Sequence, residues 1–283
     1  MTDVRPASEA VVRSLSEAEL AGWRVERGER VVERKGRFWR MSRPGFWEPV
    51  HWLARLRADE ARRPTVCLGF RAVLAAEHAS EANAGFPVHV LESVPDWGPH
   101  LLSKNRRQRL RKAGRLVELV ELTGPALLER DGHDVVVSSV RRTGAGSPPD
   151  PDRYVRSLAR DGLGGPATFL GGLADGRLVA YIGGWAVGET AYFQRLHVRT
   201  EVLATQIGTA LVFAFVEACQ RGGTITQVVN GLHSPEDASL TAYKERIGFT
   251  VQRFPTRVWL APGIGPVLRR LRPHAAARLL AAR

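Results

Sequence analysis

"TAYFQRLHVRTEVLATQIGTALVFAFVEACQRGG", residues 190–223, changes its hydrophobic pattern part-way along. Up to Val198 it is rich in aromatic and β-branched residues, as a strand is. From Gly208 it becomes a nearly continuous apolar run that ends at Gly222 and Gly223, as a buried helix with a glycine stop does. Just upstream, "GRLVAYIGGWAV" and the dipeptide Gly188-Glu189 supply a hairpin partner, because glycine suits the first position of a two-residue turn. Downstream come the strand "ITQVVNGL", the loop "HSPEDAS" and the helix "LTAYKERIGF". Strands alternating with helices predict an α/β fold, a mixed β-sheet flanked by helices.

Working toward the N-terminus, "LVELVEL" alternates as a strand, and "GHDVVVSSVRR" and "DRYVRSLARDG" read as helices separated by the loop "TGAGSPPDP". "TVCLGFRAVL" and "FPVHVLES" read as strands. "EPVHWLARLRADEARR", residues 48–63, has helical spacing, and Pro49 suits a first turn. "SEAVVRSLSEAELAGW" predicts an N-terminal helix, followed by strands turning at Gly28 and Gly36. The tryptophan-rich "FWRMSRPGFWEPVHW" suits core packing better than a substrate-binding wall. "FTVQRF" and "RVWLAP" predict a last strand pair, and "GPVLRRLRPHAAARLLAAR" a closing basic helix.

Composition narrows the function classes. The 283 residues are 44% hydrophobic and 25% charged, enough to bury a core and too apolar for general disorder. The net charge of +12, from 41 Lys plus Arg against 29 Asp plus Glu, attracts polyanions: RNA, DNA, anionic lipid or a phosphate-rich cofactor. The apolar run around Phe213 is too short to span a bilayer and is broken by Glu217. "MTDVRPASEA" has no apolar signal-peptide core, so the expected location is the cytoplasm. Cys67 and Cys219 have no metal or disulfide spacing and are expected to be buried free thiols. The histidines likewise lack metal-ligand spacing, and no metal is expected.

"LLSKNRRQRLRKAGR", residues 101–115, holds seven Lys or Arg between Lys104 and Arg115, with Ser103 as a plausible helix cap. On a helix, Leu102, Leu110, Ala113, Leu116 and Val117 gather on one side, with Lys104, Arg107, Arg111 and Arg115 opposite. Arg106 and Arg109 fall in the apolar sector, where a charge needs a partner. They are therefore the candidate anion- or substrate-binding arginines, and Arg106 should matter more than Arg107.

Strand, loop, helix, strand and helix, closing on Gly248-Phe249, resemble the acyl-CoA-binding core of the GNAT acyltransferase superfamily. Val198 fits the strand end, and Ile207, Gly208 and Leu211 fit the start of the helix. The phosphate loop departs from the family's Gln/Arg-x-x-Gly-x-Gly/Ala signature: Leu203 and Gln206 replace its first two members, and Lys244 stands where the family has Tyr. These departures resemble the FemAB-like branch, related to the Fem-type peptidyltransferases. There a basic "SxNxRRxxRKA" helix precedes the second half and a Tyr-Lys pair precedes the Gly-Phe. Ser103, Asn105, Arg106, Arg107, Arg111, Lys112 and Ala113 match the first motif, and Tyr243, Lys244, Ile247, Gly248 and Phe249 the second. The resemblance implies a tandem GNAT arrangement, with a degenerate N-terminal half over residues 1–100 and an acyltransferase domain over residues 101–283.

It also implies roles. The α-helix start at Gln206, Ile207, Gly208 and Thr209 would offer backbone N–H groups to a phosphate. Leu196, Val198 and Asn230 would complete the donor site. Lys244 suits an oxyanion or leaving-group charge, Tyr243 an acid and His197 a base, because acyl transfer to an amine needs all three functions. The leading expectation is an N-acyltransferase moving an acetyl or other acyl group from acyl-CoA to a small-molecule or peptide amine. The alternatives are a Fem-like transferase that takes its donor from aminoacyl-tRNA, and a non-catalytic nucleic-acid-binding protein.

Overall fold

A computed structural model describes residues 3–144, 146–160 and 163–271. The chain begins with β1 (Val4–Pro6), β2 (Ser14–Leu15), α1 (Glu17–Glu26), β3 (Val31–Arg34), β4 (Arg37–Arg43) and β5 (Phe46–Pro49). β6 (Gly69–Val73), β7 (Ala84–Leu91), α2 (Lys104–Leu116), β8 (Glu118–Leu122), α3 (His133–Thr143) and α4 (Pro151–Arg160) follow. β9 (Thr168–Ala174), β10 (Arg177–Val187), β11 (Thr190–Val198), α5 (Ile207–Gly222) and β12 (Gln227–Leu232) come next. α6 (Ala238–Glu245), β13 (Thr250–Leu260) and α7 (Ile264–Leu271) complete the run. The chain forms two compact units. One combines the chain up to Ser14 with Val90–Gly231 and Pro235–Thr250; the other combines Leu15–His89, Leu232–Ser234 and the chain from Val251.

In the first unit the strand order is β1-β8-β9-β10-β11-β12, with β2 beside β10. β10 is buried at every position after Arg177, as a strand covered on both faces must be. Leu211, Phe215 and Val216 of α5 pack on one face with Ile182 and Ala186. Val135, Val136, Tyr154 and Leu158 of α3 and α4 pack with Phe169 and Tyr181. Glycines let the layers close: a side chain at Gly172 would run into Ile207, and one at Gly184 into Phe215 and the Tyr192 carbonyl.

In the second unit the order is β7-β13-β6-β5-β4-β3. Trp39 and Trp47 are fully buried with Leu56, Phe70 and Leu74, which assigns the tryptophan-rich stretch to core packing. Ser16 and Glu19 form a capping box, so α1 begins at Glu17; the residues before it form a short 3-10 turn and β2 rather than the N-terminal helix expected from residue 8.

Two further expectations fail in this unit. Residues 48–63 are not a helix. Arg55 takes a left-handed φ of 52°, and Leu56 exchanges backbone bonds with Val73 and Ala75, so tertiary pairing overrides the helical spacing. "FTVQRF" and "RVWLAP" form the single strand β13, in which Pro255 needs no donor and its carbonyl accepts from Leu74 N–H. Cys219 is buried, but Cys67 is only half-buried; burial pushes both thiols up. The expected closing helix is observed as α7, and its remainder lies outside the described residues. No described helix is long and apolar enough to cross a membrane.

Candidate functional site

The site is built at one end of β11. Across from β10, Gly184 faces Phe193 and Gly183 faces Arg195, so Gln194 is an extra residue in a β-bulge. On its other edge β11 pairs in parallel with β12 only over Thr190–Tyr192 and Gln227–Val229. Beyond Tyr192 the described pairing between the two strands stops, so they part toward Val198.

α5 starts at this open end. Gln206 precedes it with φ 63°, and its N–H donates to the Leu203 carbonyl. Ile207 N–H donates to Thr205 Oγ1 at 3.3 Å, and Thr209 N–H to the Gln206 carbonyl at 3.0 Å. Of the four expected anion donors from Gln206 to Thr209, Gly208 N–H alone has no hydrogen-bond partner among the described residues. The helix start still concentrates partial positive charge there. Gly208 lies against Val198, whose Cγ2 would stand 3.2 Å from a Cβ at that position.

α6 brings two of the expected residues in. Asp237 caps it by accepting from Leu240 N–H at 2.9 Å. Tyr243 Oη lies 3.2 Å from Thr209 Oγ1, on the first turn of α5. Burial pushes the Tyr243 hydroxyl above its usual range, against the opposing pull of Thr209 and Arg106, so it is protonated at neutral pH. Lys244 is buried, and its Nζ donates to the Asn230 carbonyl at 2.6 Å. Asn230 stands immediately beyond Val229, the last β12 residue paired with β11. Burial lowers the Lys244 pKa to about 8, with Asp237 pulling the other way.

His197 is placed elsewhere. Leu196 and Val198 belong with the core under α5, whereas His197 packs on Tyr181 at a ring distance of 5.3 Å, on the opposite face. Burial, reinforced by Arg195 and Arg142, lowers its pKa to about 4, and its buried Nδ1 has no hydrogen-bond partner among the described residues. The ring is therefore neutral at physiological pH and away from Tyr243 and Lys244. That geometry does not suit the general base expected from the sequence.

α2 also departs from its helical wheel. Leu102, Ala113 and Val117 are buried and Leu110 is half-buried, but Leu116 is half-exposed at 50%. Ser103 stands at the cap position without a side-chain bond. Arg109 points to solvent, and Arg106 is half-buried beside Tyr243 and Arg246, with its pKa lowered by burial and then by Arg246. Neither pairs with a carboxylate among the described residues. Arg107, expected on the solvated face, instead donates to the Leu102 carbonyl at 2.5 Å.

One contributor escaped the sequence. Arg142 of α3 donates to the Val198 carbonyl at 3.1 Å and holds the strand end; nothing local announces a bond across 56 positions. Gly172 and Gly184, by contrast, did carry a signal, since glycine inside a strand marks close approach. The described residues contain no cluster of His, Cys, Asp or Glu able to hold a metal.

Residues 103–244 match a family model described as the acetyltransferase (GNAT) domain. Among solved structures, FemX aligns over 94% of this chain and 96% of its own, at 8% identity and a TM-score of 0.60. L-PGS from Bacillus licheniformis aligns over 94% and 93%, at 10% identity and a TM-score of 0.54. At these identities the likeness is one of fold. No match was found among curated proteins.

Proposed function

The chain belongs to the acetyltransferase (GNAT) domain family, and from that premise we propose that it is an N-acyltransferase using acyl-CoA, acetyl-CoA in the simplest case, to acylate a small-molecule or peptide amine. The observation that carries this reading is the parted end of β11 and β12 with the Gly208 amide beside it. The parting of the strands suits the amides of an extended pantetheine arm, and the helix start suits its pyrophosphate.

In this reading the acceptor nitrogen attacks the thioester carbonyl carbon. The new C–N bond forms, the C–S bond breaks, and the sulfur takes a proton from Tyr243 Oη. The amine loses its surplus proton to solvent, and solvent restores the tyrosine. Arg106, next to Tyr243, stabilises the hydroxyl while it is deprotonated. Lys244 keeps a positive charge at the parted strand end through its bond to Asn230. Neutral His197 supports the strand from its other face.

A second reading has its own observation. Lys104, Arg109, Arg111, Lys112 and Arg115 are exposed on α2, as a polyanionic donor such as aminoacyl-tRNA would use.

The test is thermal stabilisation by acetyl-CoA against free CoA and aminoacyl-tRNA at two salt concentrations. At a hundredfold excess over Kd, specific binding adds about 2.7 kcal/mol. Absence of a shift with both CoA species would sink the first reading, and salt-resistant stabilisation by aminoacyl-tRNA would install the second. With an acceptor in hand, Tyr243→Phe should lower kcat about a hundredfold, the low end for a lost general acid; unchanged kcat removes Tyr243 from the mechanism.

A further inference from the structure

The second unit has an open groove of about 510 Å³ that the proposed reaction does not use. Arg62, Arg63 and Arg257 line it with Asn83, Phe70 and Trp259, and no carboxylate is among its lining residues. The cations are not equivalent. Arg257 is occupied, donating to the Ala58 carbonyl at 2.8 Å and to Glu81 at 2.7 Å. Asn83 is occupied as well, because its side-chain amide bonds both the N–H and the carbonyl of Val258 and locks β13 in register.

Arg62 and Arg63 are exposed, and among the described residues neither guanidinium has a hydrogen bond or ion pair. Arg63 lies over the Trp259 ring at 5.4 Å, and Phe70 stacks with Trp259 at 6.3 Å and 21°. The stacking holds one guanidinium in place while its donors stay unused, which lowers the ordering cost of binding an anion. Val66 and Leu68, on the segment between Arg63 and Phe70, are 92% and 50% exposed, so apolar surface flanks the same segment.

We propose that this groove binds an organic anion: a phosphate or carboxylate head held by Arg62 and Arg63, with an apolar body against Phe70 and Trp259. Fork-shaped guanidinium donors match both heads, and the aromatic floor separates such a ligand from a bare ion.

Isothermal titration of the full chain tests this, with phenyl phosphate, benzoate, inorganic phosphate and benzyl alcohol as probes. Phenyl phosphate, benzoate or both should saturate with Kd below ~1 mM, and whichever binds identifies the head. Inorganic phosphate and benzyl alcohol should each bind at least about tenfold more weakly, since each lacks half of the match. Arg63→Ala should weaken the best probe about tenfold, the cost of one charge-assisted contact. Arg30→Ala, an exposed arginine outside the groove, should leave it unchanged. Arg62→Ala serves as a second groove variant, and an unchanged Tm confirms that both fold. Three results would overturn the proposal: no saturable binding of either organic anion, equal binding of inorganic phosphate, or equal losses in Arg63→Ala and Arg30→Ala.

Discussion

The two units answer their buried cations in different ways. In the second unit Glu48 is buried and accepts from Arg40 at 2.5 Å and Arg71 at 2.8 Å. Arg24, also buried, forks onto Glu29 at 2.9 and 3.0 Å. Arg71 further stacks over Phe86 at 4.1 Å. These charges answer one another inside the fold. In the first unit buried Asp131 and Glu121 are met by arginines, but the buried cation among the described residues, Lys244, rests on a backbone carbonyl, and the exposed cations of α2 have no carboxylate partner among those residues. A closed charge network holds a fold in place, whereas unanswered charge leaves interaction energy for something that binds.

The sharpest way to break this contrast is Glu48→Ala. It takes the carboxylate from half-buried Arg71 and leaves half-buried Arg40 only Glu29 at 3.6 Å, and should cost about 3–5 kcal/mol, read as a lower midpoint in denaturant unfolding. A loss below about 1 kcal/mol, the scale of a surface ion pair, would show that the network is ornamental and erase the difference between the units.

A smaller effect tests the first unit. His197 has a folded pKa of about 4, below its ordinary 6.5. The unfolded chain therefore binds the proton more readily. The contribution of the neutral ring is complete above pH 6.5 and is lost as pH falls through about 4. Across that window this amounts to about 3 kcal/mol. His197→Phe should remove that slope from a plot of stability against pH. An unchanged slope would mean that the ring is already protonated or solvated in the fold.

The smallest effect separates neighbours on α2. Arg107→Ala loses the bond to the Leu102 carbonyl and should cost about 1 kcal/mol. Arg106→Ala has no such bond to lose, so stability should move by less than about 0.5 kcal/mol, with any effect falling on donor binding. The reverse order would restore the inward-paired arginine that the helical wheel suggested.

Much of the first unit was legible because its local signals agree. The apolar run from Ala210, the glycine stop at Gly223 and the two-residue turn at Gly188 each point to the element that forms. The Gly248-Phe249 pair was legible as a pattern, and its cause is now plain: φ is 96° at Gly248, where a side chain would also press on Trp97. Residues 48–63 misled because burial and helicity were read together. Val50, Leu53 and Leu56 are buried as their spacing implied, but in an irregular segment bonded to strand backbone.

The candidate site was legible only residue by residue. Tyr243, Lys244, Gly208 and Asn230 could be named from motif and spacing, but not their directions. Alternation along β11 puts His197 on the face away from Leu196 and Val198, and the bulge at Gln194 fixes the phase of that alternation.

The sequence by itself determined the α/β class, the family and the element types where local signals agree, because these follow from hydrophobic period, glycine placement and short motifs. The tertiary structure alone decided which charges are answered. The same arginine is a strut at Arg71, beside Glu48, and an open donor at Arg62, because a charge's meaning depends on what the fold carries to within a few ångströms of it.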